Sequence, residues 1–106
     1  MAEQEVLVVL STFPNLEKAR QIGTLMVDMQ LAACVTLVPG VESIYRWEGR
    51  VCRETEVQAL FKVARAGEPA LTKALLEAHP YDVPEILALP AAGGNEAYLR
   101  WVAEKG

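Results

Sequence analysis

The clearest pattern in the chain is an alternation of apolar and polar residues that runs through residues 33–63. Alternation of this kind, rich in β-branched and aromatic side chains, is typical of β-strands. It is interrupted at Trp47-Glu48-Gly49-Arg50, where Gly49 can supply the positive φ that a tight hairpin turn needs. The pattern therefore predicts a β-hairpin, with strands of about 13 residues, or roughly 40 Å, each. Such a hairpin should project beyond the body of a domain whose radius of gyration is about 13 Å.

The tip of this hairpin predicts an oligomer. It carries Ile44, Tyr45, Trp47, Val51 and Cys52, a set of residues too apolar to be left in water. We therefore expect an obligate oligomer built through the hairpin. Its interface should contain Ile44, Tyr45, Trp47 and Val51.

The rest of the pattern predicts two further strands and three helices. In chain order the elements are β1 (Val6–Leu10), α1 (Leu16 to about Met29, capped by Asn15), the hairpin strands β2 and β3 with an interruption at Pro39-Gly40, α2 (from Pro69 to a stop at His79-Pro80), β4 (Pro84–Pro90) and a C-terminal helix (Glu96 to about Glu104, capped by Asn95). The predicted core stripes are Ala19, Ile22, Gly23, Met26 and Met29 on α1, and Leu71, Ala74, Leu75 and Ala78 on α2.

This order of elements predicts the fold class. Two βαβ-like units joined by a hairpin describe an α+β, ferredoxin-like split βαβ, in which four antiparallel strands carry two helices on one face. The other face of the sheet also has to be covered, and we expect the other subunits of an oligomer to cover it. At 106 residues, the chain is expected to form one domain over residues 1–106.

Composition and charge narrow the function classes. The chain is 52% hydrophobic and 23% charged, with a net charge of −4 and scattered basic residues, so we expect no nucleic-acid partner. No segment approaches the roughly 20 apolar residues of a membrane helix, and no secretory signal opens the chain, so we expect a cytoplasmic protein without a membrane partner. In the predicted hairpin Cys52 should face Tyr45, about 11 residues along the strand from Cys34. The two cysteines are then too far apart for a disulfide, so no intrachain disulfide is expected.

Candidate chemistry centres on the segment His79-Pro-Tyr-Asp-Val-Pro-Glu85, which contains the only histidine. A neutral imidazole, a carboxylate and a thiolate can together ligate copper, zinc or nickel, so His79, Glu85 and Cys34 form a candidate metal site. Two other interpretations stay open for His79: a hydrogen-bonded helix C-cap, and a residue of a ligand pocket. No nucleophile motif, cofactor motif or complete acid–base pair is present, which argues against an enzyme.

Three separated segments resemble one protein family. Residues 32–51, 79–90 and 94–101, which read AACVTLVPGVESIYRWEGRV, HPYDVPEILALP and GNEAYLRW, are similar to the CutA divalent-cation-tolerance family. The resemblance implies a ferredoxin-like subunit in a tight homotrimer, arranged like the nitrogen-regulatory PII proteins. It also implies a cytoplasmic role in tolerance of copper and other divalent cations.

The resemblance also implies roles for single residues. Cys34 matches the family's Ala-Cys-Val position, whereas Ser11 and Ala74 stand where some relatives carry further cysteines, so Cu²⁺ or another divalent cation should be held only weakly. By the same resemblance, Trp47, Lys62 and Tyr81 belong to pockets between subunits, together with His79 and Glu85.

Two functions follow as hypotheses. The first is a homotrimer that binds divalent metal ions such as copper and acts in metal ion homeostasis. The second is a PII-like trimeric sensor or signalling scaffold that binds a small molecule or a partner protein at the clefts between subunits.

Overall fold

The computed structural model describes residues 5–105 and has the predicted order of elements. These are β1 (Val6–Phe13), α1 (Leu16–Asp28), β2 (Cys34–Trp47), β3 (Arg50–Ala64), a 3₁₀ turn (Arg65–Gly67), α2 (Glu68–Ala78), β4 (Leu87–Pro90) and α3 (Glu96–Lys105). The strands form one antiparallel sheet in the order β2-β3-β1-β4. This confirms the ferredoxin-like α+β fold and its long hairpin.

The hairpin turn has the predicted position and a simple cause. Trp47 pairs with Arg50, and the two residues between them both have positive φ, 52° at Glu48 and 79° at Gly49. Two positive φ values in a two-residue loop define the type I′ turn, whose twist matches that of the flanking strands. The hairpin strands are 14 and 15 residues long, and they give the molecule its elongated extents of 47 × 26 × 22 Å.

A β-bulge divides the hairpin into a base and an outer half. The pairing register of β2 shifts between Val38 and Val41, across Pro39 and Gly40. Gly40 has a φ of 74°, which glycine adopts without strain. The predicted interruption is therefore a bulge, and beyond it the paired strands continue as a two-stranded ribbon.

The two longer helices cover one face of the sheet. Val9 pairs with Phe61 and Leu7 with Val63, and all four side chains are buried against α1 and α2. Most of the predicted helix stripes lie in or against this core: Ala19, Ile22, Gly23 and Met26 on α1, and Leu71, Ala74, Leu75 and Ala78 on α2. Both predicted N-caps are confirmed, because the side chains of Asn15 and Asn95 accept hydrogen bonds from backbone N–H groups of their helices.

The opposite face of the sheet, called here the open face, is covered at one end only by the elements of residues 5–105. Directly paired residues of antiparallel strands share a face. The open face therefore carries Val8, Leu10, Leu60, Lys62, Cys34, Thr36, Leu87 and Leu89. At one end of it, α3 buries Val102 against Val6 and Ala33.

Two predicted strand boundaries and one predicted core residue are wrong. Strand β4 begins at Leu87 rather than Pro84, because only Leu87–Pro90 pairs with β1. Strand β1 continues to Phe13, since its pairing with β3 extends that far. Met29 is the C-cap of α1 and is 56% exposed, so it does not belong to the predicted core stripe.

Candidate functional site

A buried polar cluster lies where the end of α2 meets the end of β1. Helix α2 stops before Pro80, and its C-cap residue His79 has extended backbone angles, φ −70° and ψ 139°. The ring of His79 stacks on Phe13 with centroids 4.6 Å apart and planes inclined by 15°. Its Nε2 lies 3.1 Å from Oγ of Ser11, which is fully buried.

The second ring nitrogen of His79 fixes the protonation of the imidazole. The backbone N–H of Tyr81 donates to Nδ1 at 3.2 Å, so Nδ1 carries the lone pair and Nε2 carries the proton. Nε2–H therefore donates to Ser11 Oγ, and His79 cannot accept a proton from that hydroxyl. The serine and histidine are adjacent, yet they do not form a nucleophile–base pair.

Tyr81 extends the cluster to the base of the hairpin. Its hydroxyl donates to Oε2 of Glu56 at 2.5 Å, and Glu56 is only 7% exposed. Burial, followed by the Glu56 carboxylate, raises the pKa of Tyr81 well above its ordinary value, so the phenol stays protonated and keeps donating. The line Ser11–His79–Tyr81–Glu56, called here the buried relay, joins β1, α2 and β3.

Burial also sets the charge of His79. Removal from water lowers the pKa of His79 below its ordinary 6.5, while contact with the Thr12 backbone and the nearby Glu56 carboxylate oppose that shift. The imidazole is therefore neutral at pH 7. A neutral ring can ligate a metal in principle, but both nitrogens of this ring are already engaged within the fold.

A second polar cluster lies on the open face beside α3. Cys34 Sγ is 3.4 Å from the hydroxyl of Tyr98, whose ring stacks on Trp101 at 5.9 Å. The hydrogen bond to Cys34, together with burial, raises the pKa of Tyr98 to about 12. On the neighbouring strand, Lys62 pairs with Cys34 and donates from Nζ to Thr36 Oγ1 at 2.6 Å.

The predicted metal ligands are separated within one subunit. His79 contacts the core face through Ser11, whereas Cys34 belongs to the open face, and Glu85 is exposed in the segment before β4. Residues 5–105 contain no group of three or more His, Cys, Asp or Glu side chains that could hold a metal ion. A site made from all three residues would need more than one subunit, and the ligand set stays a prediction.

The predicted pocket and interface residues are also spread along the molecule. Trp47 lies in the hairpin turn, 59% exposed, and it is separated from Lys62 by most of the length of β3. Tyr81 belongs to the buried relay. Besides Trp47, the predicted interface residues Ile44, Tyr45 and Val51 are 63%, 38% and 66% exposed. Within residues 5–105, Ile44, Trp47 and Val51 are therefore mostly exposed, whereas Tyr45 is partly covered.

A shallow groove of about 440 Å³ lies between α1 and the edge strand β2. It is lined by Gly23, Thr24, Val27, Asp28, Cys34 and Val35. Helix and strand approach closely at its floor, where a Cβ on Gly23 would come within 3.1 Å of Val35. Cys34 therefore borders both this groove and the open-face cluster.

Sequence reasoning did not find four members of these clusters as site residues: Ser11, Glu56, Thr36 and Tyr98. A polar residue on the buried side of an apolar strand was the available signal for Ser11. No local pattern marks the others, because each hydrogen bond joins residues far apart in the chain, 64 positions for Cys34 and Tyr98.

The fold and the two polar clusters define the class of protein, which is a ferredoxin-like α+β chain with a projecting hairpin. Among the described residues, no helix is long and apolar enough to cross a membrane. The sequence profile of the family described as CutA1 divalent ion tolerance protein matches residues 7–105. The chain belongs to this family.

Individual relatives agree with this assignment. The divalent-cation tolerance protein CutA of Thermus thermophilus is 48% identical over 97 residues, which cover 92% of this chain and 94% of that protein. A solved structure of the divalent cation tolerance protein (Cut A1) from Thermus thermophilus matches with a TM-score of 0.90 at 47% identity, over 94% of this chain and 97% of that one. "Protein CutA, chloroplastic" of Arabidopsis thaliana is 42% identical over 91% of this chain and 53% of its own length. The names describe cation tolerance and no catalysed reaction, in agreement with the non-enzymatic prediction.

Proposed function

We propose that this protein acts as a homotrimer that binds divalent cations, copper among them, and serves in the response to metal ions. The observation that carries this proposal is the family match over residues 7–105, since that family is described by divalent ion tolerance. The proposed metal role goes one step further, from tolerance to direct binding.

Exposed apolar surface supports the oligomer. Leu87 and Leu89 on the open face are 54% and 46% exposed, and Ile44, Trp47 and Val51 on the hairpin are more exposed still. Apolar area of this extent is typical of surfaces that a partner covers. Strands β2 and β4 are also the two outer strands of the sheet, so contacts between the different edges of successive copies would be heterologous and could close into a ring. The number three comes from the resemblance to the family.

The donor groups available for a metal support weak binding. Cys34 is a partly exposed thiol, and Glu85 is an exposed carboxylate, while His79 is closed within the buried relay. The three groups do not converge within one subunit, so they do not fit a preformed high-affinity site. Ligands supplied by two subunits would fit a cation held between them.

Calorimetric titration with Cu²⁺ tests the proposed metal binding. We expect saturable binding by the wild-type protein and at least roughly tenfold weaker binding by Cys34→Ser and by Glu85→Gln, because each removes one available donor. His79→Ala tests whether the imidazole leaves its two hydrogen bonds to bind the metal ion. Cys52→Ser is the matched control, since it removes the other free thiol and should bind as the wild type does. Absence of saturable binding would contradict the metal proposal, and unchanged binding by His79→Ala would remove His79 from the ligand set.

A second candidate function is a PII-like sensor or scaffold that binds a small molecule or partner protein at the clefts between subunits. The polar cluster of Lys62, Thr36, Cys34 and Tyr98 on the open face, next to Val8, Leu10 and Leu60, favours this interpretation. A ligand present at about 100 times its Kd should add about 2.7 kcal/mol of stability, which a thermal unfolding screen detects. No shift with any of a panel of nucleotides, carboxylates and metabolites would count against a small-molecule sensor.

The cytoplasmic location stays a prediction. The name of the Arabidopsis relative places that protein in a chloroplast, so membership of the family does not by itself fix the compartment of this chain. Fractionation of the producing cells, followed by immunoblotting, checks the prediction directly, and recovery outside the cytoplasmic fraction would contradict it.

A further inference from the structure

Lys62 occupies an unusual place for a lysine. It lies on the open face between Val8 of β1 and Cys34 of β2, and the next row of the same face holds Leu10 and Leu60. Its side chain is partly buried in the single chain, while its hydrogen bond to Thr36 lies on an exposed part of the surface. A charged ammonium group among apolar side chains is rare unless the charge has a partner.

No counter-charge for Lys62 is found within the described part of the subunit. The ammonium donates one hydrogen bond, to the neutral hydroxyl of Thr36, out of the three that it can give. The ion pair formed among residues 5–105 is that of Arg65 with Glu5, and no carboxylate there pairs with Lys62. Tyr98 cannot supply the charge either, because its phenol has a pKa of about 12 and stays neutral.

We propose that Lys62 and Thr36 form an oxyanion site on the open face, which takes a carboxylate or phosphate group. The site rests on the proposed homotrimer, because assembly over the open face would remove the ammonium group from water. A buried charge without a counter-ion is strongly unfavourable, whereas an oxyanion can accept the two remaining N–H bonds. The oxyanion can come from a free small molecule or from a carboxylate of the neighbouring subunit.

Thermal unfolding with inorganic phosphate and with citrate, against sodium chloride at equal ionic strength, tests the free anion. We expect either anion at saturation to raise the unfolding midpoint of the wild type by about 5 °C. Lys62→Met should lose this rise, Thr36→Val should bind the anion roughly tenfold more weakly, and Lys62→Arg should keep it because the charge remains. Lys73→Met, which removes an exposed lysine of α2, should respond as the wild type does.

Sedimentation of the same variants tests the neighbouring carboxylate. If neither anion stabilises the wild type but Lys62→Met dissociates at least roughly tenfold more readily than Lys73→Met, the oxyanion belongs to the next subunit. The proposal is overturned if neither anion acts and Lys62→Met assembles as tightly as the wild type. A monomeric wild type would contradict the homotrimer and this site with it, because the ammonium group would then stay in water, whereas a trimer that responds neither to the anions nor to Lys62→Met overturns the site alone.

Discussion

Hydrogen-bond directions at His79 decide what this residue can do. Because the Tyr81 N–H donates to Nδ1, the ring carries its proton on Nε2, and Nε2–H donates a hydrogen bond to Ser11 Oγ. The same two contacts that align a serine and a histidine therefore prevent their use as a catalytic pair. They also engage both ring nitrogens, one of which would have to be released to bind a metal ion. We conclude that the first role of His79 is to fix the end of α2 against β1.

Removing the Tyr81 hydroxyl should show how much the buried relay contributes to the stability of the fold. In Tyr81→Phe, the Glu56 carboxylate loses its donor while remaining buried, which should lower the free energy of unfolding by about 1–3 kcal/mol. Urea denaturation at one protein concentration measures this. Thr24→Val, which removes an exposed hydroxyl of α1, is the control and should cost less than about 0.5 kcal/mol. Equal effects of the two substitutions would contradict the relay.

Stability should depend on pH through His79. Its pKa is lower in the folded chain than in the unfolded chain, so the unfolded state binds more protons between the two values. The contribution of the neutral imidazole is complete above about pH 6.5 and is lost as the pH falls through the folded pKa, with a slope of at most about 1.4 kcal/mol per pH unit. Urea denaturation from pH 7.5 to 5 should show this loss in the wild type. His79→Gln should lack that part of the pH dependence. If the variant and the wild type lose the same stability between pH 7.5 and 5, the loss does not come from His79.

At this scale the sequence could identify residues but could not pair them. His79 stood out as the only histidine, and its helix-capping position follows from Pro80. Its partner Ser11 lies 68 residues away in the chain, and the pairing depends on β1 lying beside the end of α2. Cys34 and Lys62 were singled out as members of different sites, but strand register makes them neighbours.

At the scale of elements, local chemistry determined most of what could be predicted. Period-two alternation with a Glu48-Gly49 turn predicted the hairpin, and Asn15 and Asn95 marked two helix starts. The start of β4 was misplaced because an apolar, proline-bounded segment does not show where pairing with β1 begins. Met29 was misplaced for a similar reason, since helical spacing continues past the last turn that the sheet covers.

A substitution in the hairpin turn tests whether the positive φ of Gly49 is needed for a stable hairpin. Gly49→Val would force a β-branched residue to a φ of 79°, which should destabilise the hairpin by about 1–3 kcal/mol. Gly93→Ala is the matched control, because a Cβ there meets no atom within 4 Å and no positive φ is recorded at that position. Thermal unfolding of both variants measures the difference. A Gly49→Val protein as stable as the control would contradict the importance of the type I′ turn.

At the scale of the whole molecule, the surface left uncovered is the main argument about function. The open face and the hairpin tip lie away from the core built by α1 and α2, and both expose large apolar side chains. A trimer that covers them would place the open-face cluster between subunits. It would also give Cys34 and Glu85 their only route to a shared metal ion.

Replacing an apolar residue at the hairpin tip should weaken this assembly. Trp47→Asp removes an aromatic anchor that is 59% exposed in the single chain, and it should cost at least about 2 kcal/mol of association free energy, or roughly 30-fold in the dissociation constant. Leu76→Asp, at a position 55% exposed on the outer side of α2, is the control and should assemble as the wild type does. The two variants are compared by size-exclusion chromatography across a dilution series. If Trp47→Asp dissociates no more readily than Leu76→Asp, the hairpin tip is not part of the interface.

Sedimentation equilibrium of the wild-type chain at micromolar concentration tests the central claim, that this protein works as a homotrimer, most directly. The chain has a mass of 11.6 kDa, and we predict a single species of three times that mass. A species of 11.6 kDa under the same conditions would contradict the account, because the open face and the hairpin tip would then be stable in water without a partner.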